Sequence, residues 1–169
     1  IQKELPQVKV VYYEGGFNFS KINNFGVRYA KGEYLLFMNN DVELINPDTM
    51  RELLGYGIRR DVGAVGCRLL YEDDTIQHAG VVIGFGGIAG HTFIGLHEVQ
   101  NSYFHRALTA QDYSAVTAAC LLTKKELFRS VGGFTEELAV AFNDIDYCLK
   151  LRAAGKLVVY NPYALLHHY

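Results

Sequence analysis

The run GEYLLFM, Gly32–Met38, most narrows what this chain can become. Its apolar residues follow one another without polar alternation. A strand with one wet face alternates, so such a run belongs to a strand covered on both faces, as in a parallel sheet. The flanking segments extend the pattern. VKVVYY (Val8–Tyr13) reads as a buried strand closed by Gly15–Gly16. Ser20 is placed to N-cap a helix from Lys21 to Lys31, with Ile22, Phe25, Tyr29 and Ala30 on its apolar face and Gly32 as its stop. After GEYLLFM, Asn46-Pro47-Asp48 starts a second helix, with Asn46 as cap and Pro47 in the first turn, ending near Arg60. Gly63–Leu70 is then a further strand. This alternation predicts a doubly wound α/β sheet.

The pattern loosens between Tyr71 and Asp112, where Gly84, Gly86, Gly87, Gly90 and Gly95 and four histidines (His78, His91, His97, His105) keep no period. A long irregular loop in a compact domain points to function or mobility. Order resumes with a strand over Ser114–Thr123, a short helix over KKELFRSV and the Gly132–Gly133 break. A helix over Asp144–Ala154, stopped by Gly155, and a last strand over Lys156–Tyr160 complete the chain. With 169 residues, no repeat and no linker, a single domain over 1–169 is expected.

Composition excludes several classes of function. A net charge of −2 gives no basic footprint for nucleic acid or an anionic membrane. No apolar run approaches the ~18 residues of a membrane span, and no signal peptide opens the chain. Cys67, Cys120 and Cys148 are far apart and in apolar settings, which predicts buried, inert thiols in a reducing compartment. There is no GxSxG nucleophile elbow and no HExxH zinc motif. Gly84-x-Gly86-x-x-Ala89 superficially matches a dinucleotide fingerprint. GHTFIGLHEVQNS after it makes a poor amphipathic helix and no acidic residue follows at the required spacing, so a glycine-rich loop or hairpin is expected.

Three stretches can carry chemistry. LLFMNNDVEL runs a strand into Asn39, Asn40 and Asp41, and ligands of open α/β sheets bind outside the carboxyl ends of strands. Asp41 offers a hard oxygen for Mg²⁺, yet the same residues make an ordinary Asx turn, and both readings stand on this stretch alone. In FNDID, Asp144 is either a helix cap or a general base, and the cap suffices by itself. LLHHY ends the chain with two histidines that read as a surface pair or as one imidazole ligand.

Taken together, NFSKINNFGVRYAKGEYLLFMNNDVEL, DVGAVGCRLLYEDDTIQHAGVVIG, SAVTAACLLTKKELFRSVGGF and AFNDIDYCLKLRAAGKLVVYNPYALLHH resemble the family 2 glycosyltransferases. The likeness is greatest to their bacterial, rhamnosyltransferase-like branch, and it covers essentially the whole chain. The resemblance implies a GT-A fold: a three-layer α/β/α sandwich on a mostly parallel mixed sheet. Residues 1–70 would form its donor side and 71–169 its acceptor side. It also implies a fragment lacking the family's first strand.

Inverting transfer from a nucleotide-diphospho-sugar (UDP- or dTDP-sugar) to a glycan or lipid-linked acceptor, with Mg²⁺ or Mn²⁺ on the diphosphate, is implied as well. So is a cytoplasmic setting at the inner face of the membrane. Asn39-Asn40-Asp41 matches the DxD motif, with Asn in its first place. Asn143-Asp144 matches the Glu-Asp pair, whose Asp is the general base, and Asn143 departs from its Glu. His168 matches a histidine that completes the metal site, and Asn24 an asparagine near the donor. His78, Asp112 and Asp146 are the expected acceptor contacts. The rival expectation is a catalytically incomplete GT-A fragment or a non-catalytic module that binds a glycan or partner.

Overall fold

The computed structural model describes residues 3–97 and 102–169. The expected irregular stretch from Tyr71 to Asp112 therefore has residues 98–101 outside the described part. Helix α1 spans Phe19–Val27, strand β1 Tyr34–Met38, β2 Val42–Leu44, helix α2 Thr49–Gly57 and strand β3 Val62–Leu70. Next come the short strands β4 (Ile76–His78), β5 (Val81–Ile83) and β6 (Ala89–His91). A 3-10 segment over Tyr103–Leu108 leads into β7 (Gln111–Asp112) and β8 (Cys120–Lys124). Helices α3 (Lys125–Ser130) and α4 (Asn143–Ala153) precede the 12-residue strand β9 (Leu157–His168).

The main sheet has the order β1-β8-β3-β9-β2, with β4 beside β3 and β7 beside β9. β3 and β9 pair in parallel, and the other described pairings of this sheet are antiparallel. Because β8 runs against both β1 and β3, the strands β1, β3 and β9 all point the same way. The sheet is thus mixed, with β8 slotted between two strands of the common direction. All nine residues of β3 are buried, as a doubly covered strand requires.

Two cores lie on opposite faces of this sheet. Leu35 and Phe37 of β1 pack with Val27 of α1, Phe128 of α3 and Tyr147 and Leu151 of α4. Tyr34, Leu36 and Met38 point the other way, toward the core that holds Leu53 of α2. Alternate residues of one strand therefore feed helices on both sides, which makes the expected three-layer sandwich.

Several expectations needed correction. VKVVYY forms no strand: Val8 and Tyr12 are 41% and 80% exposed, and the segment is held by Tyr13 packing edge-on to Phe25 and by Lys9 over the Tyr29 ring. An apolar run becomes a strand only when another backbone pairs with it. α1 is capped by Asn18, whose Oδ1 accepts from the Lys21 amide at 2.9 Å, while Ser20 is buried inside the helix and donates to the Leu138 carbonyl. Asn46 closes a turn by accepting from the Asp48 amide, and α2 starts only at Thr49 and ends at Gly57. α4 begins at Asn143 rather than Asp144.

Two strand boundaries moved more. Ser114–Ala119 lies outside β8, because the Thr117, Ala118 and Ala119 amides bond to side chains and Ala115 makes only an isolated bridge to Val81. β9 continues past Tyr160 through Pro162 to His168. Its pairing with β3 steps from Asn161 to Leu165 between Cys67 and Arg68, so the proline sits in a bulge where no amide is needed.

Candidate functional site

β1, β3 and β9 share a direction, so their carboxyl ends at Met38, Leu70 and His168 open on one edge of the sheet. The β2–β9 ladder sets His168 opposite Val42, beside Asp41, and the Tyr169 amide donates to the Asp41 carbonyl at 3.0 Å. The side chains meet there. His168 Nε2 is 3.2 Å from Asp41 Oδ1 and 3.2 Å from Asn39 Nδ2. The Asn39 amide donates to the Ala119 carbonyl, which ties the end of β1 to the stretch before β8.

The same stretch holds Asp144. Its Oδ2 accepts from the Ala118 amide at 3.1 Å and its Oδ1 from the Ile145 amide at 2.8 Å, while its own amide donates to Asn143 Oδ1. Phe142, just before the helix, has φ 63° and ψ 3°, a left-handed conformation costly for a bulky residue. That kink delivers Asn143 and Asp144 to the 117–119 segment. Asn39, Asp41, Asp144 and His168 are therefore drawn to one edge by a shared set of backbone bonds.

The donor set at Asp41 suits a divalent cation: one hard carboxylate oxygen, one imidazole nitrogen and a neighbouring carboxamide. Among the described residues no group of three or more His, Cys, Asp or Glu gathers into a metal site. The pair fits an ion whose remaining ligands come from phosphate and water, as is usual for Mg²⁺. Glu43 is engaged elsewhere, accepting from the Tyr169 hydroxyl at 2.6 Å. His167 points away from His168 and meets Asp74. Two hollows flank the contact. One of about 340 Å³ is lined by Phe17, Phe19, Asn23, Asn39, Asn40 and Ala118. The other, about 510 Å³, is lined by Tyr71, Glu72, Asp73, Gln77, His168 and Tyr169.

The other expected site residues are used differently. His78 is fully buried and cannot touch an acceptor; its Nδ1 lies 3.0 Å from His91 Nδ1 and its Nε2 faces the Thr117 amide. Burial pushes its pKa well below the ordinary histidine value. Asp112 is at the far end of β9, opposite Val159, where it accepts from Arg152 and from the Val158 amide; it staples α4 to the sheet. Asp146 accepts from Thr135 at 2.6 Å and pairs with Lys150, holding the turn after the Gly132–Gly133 break. The Asn24 carboxamide likewise clamps that turn, donating to the Phe134 carbonyl and Glu136 and accepting from the Phe134 amide.

Sequence reasoning missed Gln77 and His91. Gln77 meets His168 through both ends of its amide. His91 joins His78, and burial lowers its pKa while Asp144 opposes the shift. Neither had a periodicity or spacing to mark it, and only adjacency to His78 hinted at Gln77. The cysteines are as expected: all three are buried and free, and burial raises the Cys148 thiol to about 12.

The glycosyl transferase family 2 profile matches residues 1–131. The chain belongs to glycosyl transferase family 2. Two relatives match along nearly all of it. The y4gI protein of Sinorhizobium fredii is 49% identical over 164 residues, which is 96% of this chain and 18% of that protein. The O-antigen biosynthesis protein RfbC of Myxococcus xanthus is 40% identical over 166 residues, 96% of this chain and 13% of that protein. This family 2 chain thus spans less than a fifth of either relative.

Solved glycosyltransferases share its GT-A fold. GalNAc-T7, solved with UDP, GalNAc and Mn²⁺, superposes with a TM-score of 0.75 at 13% identity, covering 99% of this chain and 33% of that one. The mannosyltransferase PcManGT of Pyrobaculum calidifontis, solved with GDP-Man and Mn²⁺, gives 0.61 at 17% identity over 95% of this chain and 38% of that one. The family profile ends before Asp144 and His168, so the case for those two residues rests on their geometry.

Proposed function

We propose that this family 2 domain moves a sugar, with inversion, from a nucleotide-diphospho-sugar to an acceptor hydroxyl in the synthesis of bacterial surface polysaccharide. The observation that carries the reading is the 3.2 Å contact of Asp41 with His168 at a sheet edge that also holds Asp144. Support for the donor class comes from the nucleotide or nucleotide sugar and the Mn²⁺ bound by GalNAc-T7 and PcManGT. Support for the pathway comes from the O-antigen role in RfbC's name. A UDP- or dTDP-sugar is the proposed donor, and a glycan or lipid-linked hydroxyl the proposed acceptor. The three free cysteines favour a cytoplasmic setting, and no helix among the described residues is long and apolar enough to cross a membrane.

Asp41 and His168 would hold Mg²⁺ or Mn²⁺, which when bound supplies positive charge against the leaving diphosphate. Asn39 and Asn40 face the hollow beside them, where the donor's sugar and phosphates would lie. Asp144 takes the proton from the acceptor hydroxyl as its oxygen attacks the anomeric carbon from the face opposite the departing diphosphate. Backbone amides on both carboxylate oxygens keep Asp144 aimed through that step. Residues 1–70 bring Asn39 and Asp41, and 71–169 bring Asp144 and His168. His168 would thus reach across from the proposed acceptor side to the cation position on the proposed donor side, within one continuous sheet.

The reading is tested by nucleotide-sugar turnover of the parent protein with Asp144→Asn, which should lower it by roughly 10²–10⁴-fold. Turnover that survives this change removes Asp144 as the base. Turnover that survives both EDTA and Asp41→Ala removes the cation.

A further inference from the structure

β4 is three residues long, yet Gln77 on it grips His168 at two points. Gln77 Nε2 donates to the His168 carbonyl at 3.0 Å, and Gln77 Oε1 lies 2.6 Å from His168 Nδ1. A carbonyl can only accept, so it settles which end of the Gln77 amide is the NH₂ and which the oxygen. That oxygen also only accepts, so the proton in the 2.6 Å contact belongs to Nδ1. A neutral imidazole carries one N–H, which leaves Nε2 with its lone pair. Nε2 is the atom that faces Asp41 Oδ1 and Asn39 Nδ2, each at 3.2 Å.

We infer that Gln77 is a positioning residue that locks His168 in the Nδ1–H tautomer and aims the Nε2 lone pair at the divalent-cation position. This rests on the proposed reading of the Asp41–His168 contact as that position. The β2–β9 ladder fixes the His168 backbone but not its ring: a flipped ring would put Cε1–H where Nε2 faces Asp41, and the other tautomer would put an N–H there. Hydrogen bonding from outside the ligand shell commonly sets the tautomer and orientation of a ligating histidine. A site with two protein ligands depends on it more than a site with four. β4 also serves the other half of the site. Successive residues of a strand point to opposite faces, so the next side chain, His78, turns to the Thr117 amide beside the Asp144 anchor.

The test combines long-range ¹H–¹⁵N spectra of the histidine rings with Mn²⁺ binding read by electron paramagnetic resonance in the presence of UDP or dTDP. Wild type should show His168 as the Nδ1–H tautomer. Gln77→Leu should mix the tautomers and weaken Mn²⁺ binding by about 10–100-fold. Gln77→Glu, whose carboxylate still accepts from Nδ1–H although it cannot donate to the His168 carbonyl, should recover the tautomer and most of the Mn²⁺ binding, and a native-like backbone amide spectrum of Gln77→Leu shows that its loss is not misfolding. A Gln77→Leu chain with an unchanged tautomer and unchanged Mn²⁺ affinity overturns the inference, as does a wild-type His168 protonated on Nε2. A wild-type chain with the Nδ1–H tautomer and no Mn²⁺ binding overturns the cation reading and the purpose given to Gln77 with it.

Discussion

His78 is fully buried with its ring 3.0 Å from that of His91, and burial holds both pKa values below the ordinary 6.5. Two imidazoles this close bond through one N–H and one lone pair, an arrangement that added protons break. The unfolded chain has no such restriction and takes up protons as pH falls below about 6.5, while the folded chain refuses them. The stability these groups lend is therefore fully present above that pH and is lost below it. Each refused proton gives a slope of about 1.4 kcal/mol per pH unit. Denaturation midpoints followed from pH 7 to about pH 5 should fall, and His78→Asn should make the fall shallower. An unchanged slope in that variant would remove His78 from the account. The residue type was legible in the sequence, but its role was not, because burial and a partner 13 positions away are facts of packing.

Elements differ in how far their sequences announce them. GEYLLFM announced β1 because Tyr34–Met38 is an unbroken apolar run whose two faces both pack, and FNDID marked the entry of α4. VKVVYY looked as apolar yet pairs with nothing among the described residues. LLHH read as a surface pair or as one imidazole ligand, with the resemblance favouring the ligand; what it did not show is that β9 runs on through the Pro162 bulge to carry His168 to Asp41. The 114–119 stretch was read as strand, and is instead the irregular segment whose amides hold Asp144 and face His78. Its position depends on Gly66 of β3, where a Cβ would come within 2.5 Å of Val116. Gly66→Ala should push Val116 away, cost about 1–3 kcal/mol by overpacking and displace the neighbouring Thr117–Ala118 amides. Denaturant unfolding and nucleotide-sugar turnover should both decline, although Gly66 touches no substrate. Wild-type stability with wild-type turnover would show that the segment is not braced there.

At the scale of the whole molecule, family and fold were legible because the motifs come in a fixed order along the chain, and that order is the sheet's own wiring. The convergence of the site was legible only through the family resemblance, not from the residues themselves. Asn39 and Asp41 lie in one half of the chain and Asp144 and His168 in the other, and only β8 and β9 lying among the strands of the first half bring them to one edge. The central claim is that this edge binds a nucleoside diphosphate through a divalent cation held by Asp41 and His168. Calorimetric titration of the chain with UDP or dTDP, with and without Mn²⁺, tests it most directly. The account predicts binding that needs Mn²⁺ and is lost in both Asp41→Ala and His168→Ala. Nucleotide binding of equal strength without the cation, or undiminished in both variants, would contradict it.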